Sequence, residues 1–248
     1  MASSDEKILR GKVALVTGGS RGIGRAIATA YVQNGASVFI CGRNPKDVEA
    51  ALGEMQQTGE SVDGVAGDVG SAEDVERIVG KAVQRFGAID VLVNNASILG
   101  PRVPIASYPL NAWNEVVRIN LTGQFLIIRA VLPLMLGRRK GSIINVTSGV
   151  GRRGKARWGA YAVSKAGLEC LTQVLADEVS EAGLRVNSVN PAATRTRMRA
   201  EAYPAEDPGV LPEPDEITSV FVYLASDTSA GVTGQALEAR DWLGRGDV

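Results

Sequence analysis

The sequence predicts an α/β fold, a parallel sheet of about seven strands doubly wound with helices on both faces. Three observations carry this. Strand-like and helix-like segments alternate along the chain. The strands are near-continuous apolar runs, as expected where both faces of a sheet are covered. The first strand runs into a glycine-rich turn that opens a helix. No linker, low-complexity tract or internal repeat divides the 248 residues, so one domain over 1–248 is expected.

The elements justify themselves in order. Val13–Val16 is a short apolar strand, followed by a turn matching T-G-x-x-x-G-x-G at Thr17, Gly18, Gly22 and Gly24. Apolar residues at helical spacing fill Ile23–Gln33, and Asn34-Gly35 stops that helix. Ser37–Cys41 is a second buried strand. Pro45 opens a helix to about Gln57. Val62–Ala66 is a weaker third strand, and Ser71 is the expected N-cap of a helix to Phe86. Ile89–Val93 is the fourth strand, and a long helical region covers about Leu110–Leu136. Ser142–Thr147, a helix over Tyr161–Glu181, and the strand Leu184–Val189 follow. Pro214–Ala225 reads as helical and Gln235–Ala239 as a last edge strand.

Composition narrows the chemistry. An apolar fraction of 45% and a charged fraction of 22% are those of an ordinary soluble protein. Zero net charge provides no global field for nucleic acid or an anionic membrane. Met1–Gly11 is polar, without a signal-peptide pattern, and Phe125–Leu136 is interrupted by Arg129 and Pro133 and too short to span a bilayer. A cytoplasmic protein with no membrane or nucleic-acid partner is expected. Histidine is absent, which excludes Ser-His-Asp hydrolysis, histidine metal sites and histidine general bases. Cys41 and Cys170 lie in apolar segments without partners at metal spacing, so both are expected to be buried structural thiols and no metal is expected.

The glycine turn suits a dinucleotide. A sharp turn lets the backbone approach a pyrophosphate, and the next helix presents free N–H groups and its positive dipole end. Such a ligand lies across the carboxyl ends of the strands, as in Rossmann-type sheets. The acid that usually follows the second strand and grips the ribose 2′-hydroxyl is missing; Gly42-Arg43 stands there. Arg43, with Arg21 in the glycine turn, is placed to meet a 2′-phosphate, which selects NADP(H) over NAD(H). Ser20 and Ile23 complete the candidate turn contacts. Asp68-Val69 follows the third strand, where Asp68 can accept from an adenine amino group. The fourth strand ends in Asn94-Asn95-Ala96: the asparagines can pin neighbouring strands or bind the cofactor, and Ala96 admits the adenosine ribose.

Ser148 follows the fifth strand at the same sheet edge, and Tyr161 with Lys165 forms Y-x-x-x-K, which puts both side chains on one helix face. With TGGSRGIG, NNA, a serine thirteen residues before the tyrosine, YAVSK and the Asn190-Pro191 segment in this order, the chain resembles the short-chain dehydrogenase/reductase family from Gly11 to about Gln235. Within it the resemblance is to 3-oxoacyl-thioester (acyl carrier protein) reductases. It implies a reacting group of Asn120, Ser148, Tyr161 and Lys165. Tyr161 is then the proton donor in ketone reduction. Lys165 lowers its pKa and holds the nicotinamide ribose. Ser148 bonds the substrate oxygen. Asn120 holds a water leading from Lys165 to solvent, or simply bonds backbone.

The resemblance also places Pro191 and Thr196 at the nicotinamide, makes most relatives tetramers, and therefore implies a homo-oligomer, tetramer or dimer. Three departures from the family stand out: Ala192 replaces a glycine, Ser97 follows NNA, and the end reads Glu238-Ala239-Arg240-Asp241-Trp242. The tail departure puts the usual C-terminal subunit contact in question.

Two loops start basic: Arg152, Arg153, Lys155 and Arg157, then Arg195, Arg197 and Arg199. They are either solvated charges or an electropositive rim that draws a carrier-bound acyl substrate. The expected function is NADP(H)-dependent reduction of a small or carrier-bound ketone to a secondary alcohol. The competing class is a nucleotide-binding sensor or scaffold without catalysis.

Overall fold

The computed structural model describes residues 7–57 and 61–244; residues 1–6 of the polar start and the last four residues lie outside that range. Seven strands, β1 (Val13–Thr17), β2 (Ser37–Gly42), β3 (Val62–Ala66), β4 (Val91–Asn94), β5 (Gly141–Val146), β6 (Leu184–Asn190) and β7 (Ala236–Glu238), form one sheet. Their order is β3-β2-β1-β4-β5-β6-β7 and all pairs are parallel. The order reverses between β1 and β4, the two neighbours that leave a crevice at their carboxyl ends.

The helices are α1 (Gly22–Gln33), α2 (Pro45–Gln56), α3 (Ala72–Phe86), α4 (Leu110–Val117), α5 (Gly123–Arg138), α6 (Gly149–Arg152), α7 (Gly159–Glu178), α8 (Arg197–Ala202) and α9 (Ser219–Ala225). Side-chain alternation sorts the core into two layers. Ala14, Val16, Val38, Ile40, Val93 and Ile144 face α1 and α9. Leu15, Phe39, Leu92, Ile143 and Val186 face α3, α5 and α7. Each buried aliphatic side chain contributes about 1.5–3 kcal/mol, so the two layers hold the sheet flat against both helix sets.

Several boundaries differ from the sequence reading for local reasons. Ser71 caps α3 as expected, accepting from the Asp74 N–H. The segment after Pro214 is a turn, and the helix starts only at Ser219. The long helical region is interrupted: α4 passes into a π-helical turn, Arg118–Thr122, and then into α5. Over 29 residues it is long and apolar enough to cross a membrane, so length alone does not settle the matter as the sequence reading assumed. Ile119, Ile127, Ile128, Val131 and Met135 are instead buried against the sheet and α3. Cys41 is buried as expected, and burial pushes its thiol up to about 12. Cys170 is exposed on α7, which corrects the expectation that both thiols are buried.

Candidate active site

A cleft of about 790 Å³ opens over the carboxyl ends of the strands. At one end lies the turn from β1 to α1. Gly22 adopts φ +54°, in the left-handed region, and a Cβ there would project into the open cleft with only Thr196 near, at 3.7 Å. At Gly24 a Cβ would instead strike the Gly18 carbonyl and the Asn95 amide, so that glycine closes the turn rather than admitting a ligand. No side chain caps the α1 N-terminus, whose residues Gly22–Gly24 line the cleft. Arg21 and Arg43 line it too, both exposed and neither in a salt bridge among the described residues. An open cradle, uncapped N–H groups and two free guanidinium forks fit a phosphorylated dinucleotide.

The other expected contacts divide into cleft wall and support. Gly18, Ser20, Ile23, Asp68, Val69, Asn95, Ala96, Pro191 and Thr196 all line the cleft. Thr17 does not: it is fully buried, and its hydroxyl donates to the Val93 carbonyl while accepting from the Asn95 and Ala96 N–H groups. Its service is to tie β1 to the end of β4, a correction to the expectation of a cofactor contact. Asn95 donates its amide to the Thr17 and Gly18 carbonyls, and Asn94 donates to Asn145. Both asparagines are structural pins, and Asn95 also forms wall. Asp68 has one oxygen on Arg118, at 2.7 Å, and the other on the Gly70 N–H. Thr196 caps α8 by accepting from the Arg199 N–H, which leaves its own hydrogen to donate.

At the far end Tyr161 and Lys165 line the cleft from α7. The Lys165 side chain is buried, its Nζ 5.8 Å from the Tyr161 ring centroid, and it donates to the Val146 carbonyl at 2.7 Å. Burial drives the Lys165 amine down to about 8, with Glu169 pulling the other way. Burial likewise pushes Tyr161 up to about 12, and the Ser148 hydroxyl lowers it. The ammonium's hydrogen bond goes to Val146, and desolvation outweighs the Ser148 contribution to the phenol. Asn120 sits in the π-helical turn, buried behind the wall. It grips Ile98 through both its backbone groups and donates to Ser164. That is the backbone-bonding alternative, made to a neighbouring loop rather than to its own helix. Gln124, one turn on, donates to the Ala96 carbonyl.

The basic rim is largely neutralised. Arg152 pairs with Glu169 and Glu238, Arg195 with Glu213, Arg197 with Glu201, and Arg199 with Glu206. Lys155 donates to the Tyr203 hydroxyl. Four of the seven cations are thus spent on ion pairs that brace the substrate loops, while Arg153 and Arg157 stay exposed with no salt bridge among the described residues. Above Tyr161, Trp158 stacks at 5.5 Å, and the Arg102 guanidinium is held between the Trp158 and Tyr203 rings. Sequence reasoning missed Trp158, Gln124, Glu169 and Glu238. For Glu169 the signal was available, since it continues the i,i+4 ladder of Tyr161 and Lys165.

Residues 12–207 match the family described as short chain dehydrogenase. The uncharacterized oxidoreductase YciK of Escherichia coli K12 is 36% identical over 238 residues, covering 95% of this chain and 94% of its own length. The 3-oxoacyl-[acyl-carrier-protein] reductase FabG of Vibrio harveyi is 40% identical over 237 residues, covering 92% and 96%. A crystal structure of a short chain dehydrogenase from Escherichia coli CFT073, complexed with NADPH, superposes with a TM-score of 0.91 at 36% identity, covering 95% of this chain and 99% of that one. A parallel sheet with its crevice at the β1/β4 reversal, a glycine cradle at one end and a Tyr–Lys pair at the other, in a chain matched over most of its length, make this protein a member of the short-chain dehydrogenase/reductase family.

Proposed function

We propose that this protein is an NADP(H)-dependent carbonyl reductase that converts a ketone to a secondary alcohol. The observation that carries the reading is the placement of Tyr161 and Lys165 in the wall of the same cleft whose other end bears the Arg21 and Arg43 guanidiniums. When bound, NADPH supplies the hydride. Arg21 and Arg43 hold its 2′-phosphate, and the α1 N-terminus its pyrophosphate. The neighbour complexed with NADPH supports the same cofactor.

Tyr161 is protonated at neutral pH, as a phenol titrating near its ordinary value of about 10 already is and as burial reinforces, so it carries the proton that the carbonyl oxygen needs. That proton passes from the tyrosine oxygen to the substrate oxygen. The Ser148 hydroxyl hydrogen-bonds the same oxygen, where negative charge develops. Lys165, charged below about 8, stabilises the phenolate left behind. Asn120 fixes the Ile98 loop that lines the cleft. These roles require three groups that a nucleotide sensor does not need, which disfavours the scaffold alternative.

For the substrate, the similarity to FabG supports a 3-oxoacyl thioester. The rim adds less to it, since four of its six arginines are paired. We further read the protein as a cytoplasmic homo-oligomer. Phe125, Leu134 and Leu136 of α5 and Val163 and Val174 of α7 are large apolar side chains left exposed, a surface that a second copy would cover.

The test is turnover of a panel of free ketones and 3-oxoacyl thioesters with NADPH and NADH, for the wild type and Tyr161→Phe. Tyr161→Phe should retain NADPH binding while turnover falls about a thousandfold. Unchanged turnover removes the tyrosine as proton donor.

A further inference from the structure

Arg152 lies four residues after Ser148 and was the leading member of the presumed rim, yet its guanidinium, on the exposed side of the loop, is fully engaged by neighbouring groups. Its Nε donates to Glu169 Oε1 at 2.8 Å, a second nitrogen pairs with Glu238, and a third donates to the Leu237 carbonyl at 3.2 Å. Each acid then does something else. Glu169 accepts from the Ser188 hydroxyl at 2.5 Å. It also stands one helical turn beyond Lys165 on α7. Glu238 accepts from the Asn190 amide at 2.8 Å, and the Asn190 oxygen accepts from the Ala192 N–H at 3.0 Å. Ala192 holds φ +59°, a left-handed conformation that an alanine keeps only when its surroundings impose it. Pro191, between them, is cleft wall. Gly151 of α6 packs so closely on Lys165 that a Cβ would lie 2.8 Å from the lysine's own.

We propose that Glu238, Arg152 and Glu169 form a positioning relay that fixes two parts of the active site at once, the Lys165 ammonium and the Asn190–Ala192 turn. The inference rests on the reductase reading for its consequence in turnover, but not for its geometry. Four charges alternate in sign along it: Lys165, Glu169, Arg152 and Glu238. The group is neutral as a whole, and each charge has an opposite neighbour. This is the condition under which partly buried charges are tolerated.

The electrostatic direction follows. Burial raises the Glu169 carboxyl, yet the hydrogen bonds from Ser188 and Arg152 outweigh this and hold it below its ordinary value. It is therefore an anion wherever Lys165 titrates, and it favours the charged lysine. Around the Lys165 amine the titratable and charged groups are Tyr161 and Glu169 of α7, with Arg152 of α6 and Glu238 of β7 behind Glu169. The sheet contributes the neutral Val146 carbonyl and the Thr147 and Ser188 hydroxyls, and the π-helical turn contributes Asn120.

The test separates positioning from mere structure by sign. Lysine labelled with 13C at Cε, with Lys165 assigned by difference, reports its titration by NMR without substrate. Glu169→Gln should lower the Lys165 midpoint by roughly one pH unit, and Arg152→Met should raise it, since the competing cation is gone. The basic limb of the ketone-reduction profile should move the same way in each variant. At the other end, Glu238→Ala should weaken NADPH binding about tenfold by releasing the Asn190 amide, and Glu238→Gln, whose one oxygen can accept from Asn190 but not also from Arg152, should fall between Glu238→Ala and the wild type. An unmoved lysine titration in Glu169→Gln, or Glu238→Gln as impaired as Glu238→Ala, overturns the relay. Shifts of the stated sign in a protein that reduces no ketone leave the relay standing and remove the reductase reading instead.

Discussion

The two ends of the cleft recognise by different means. At the nucleotide end the backbone does most of the work: Gly22 in a left-handed conformation, the uncapped N–H groups of α1, and Gly24 packed on the Gly18 carbonyl. The two cations there, Arg21 and Arg43, have no salt-bridge partner among the described residues. At the reacting end side chains dominate, and four of the six arginines in the two basic loops are paired with an acid. One end keeps its charge for a ligand; the other uses its charge to hold itself together. Charge counted along a sequence therefore says little about charge offered to a partner.

Three substitutions sharpen this contrast, from the largest effect to the smallest. Gly24→Ala attacks the backbone end directly, because the new methyl group meets a carbonyl and an amide that cannot both move. It should cost about 3 kcal/mol in urea unfolding and take NADPH binding with it. A variant of wild-type stability would mean that the turn is softer than its packing implies. Arg43→Ala tests the free cation: NADPH affinity should fall roughly tenfold to a hundredfold while NADH affinity stays the same. An equal loss for both cofactors would detach Arg43 from the 2′-phosphate. Ala192→Gly acts at the reacting end, where the backbone is strained rather than free. Relief of the left-handed alanine should stabilise the protein by about 0.5–1 kcal/mol in thermal unfolding, after the entropy of the added glycine is subtracted. A loss of stability would show that the strain is absorbed elsewhere.

The same contrast explains what could be read before the structure. The sheet was legible because its strands are apolar on both faces, and the odd and even residues of Val13–Thr17 divide between two cores. The glycine turn and the Tyr161–Lys165 spacing were legible because local geometry alone sets them. What escaped were partnerships across long stretches of chain. Arg152 meets an acid 86 residues away, and Arg195 pairs with Glu213 across a loop. Thr17 looked like part of the cofactor signature, but its buried hydroxyl serves β4. The outward face of Cys170 depends on how α7 is turned, which its weakly segregated apolar residues do not specify. Helix α9 begins late because the run to Thr218 forms turns closed by the Asp215 carbonyl.

The shortest strand has the longest reach. Because β7 follows the other six strands among the described residues and delivers Glu238 to Asn190, a polypeptide ending at Gln235 would already contain Ser148, Tyr161 and Lys165 and still lack the clamp on Ala192. Completion of the tail, rather than appearance of the reacting residues, is then the moment at which a growing chain acquires a finished cleft.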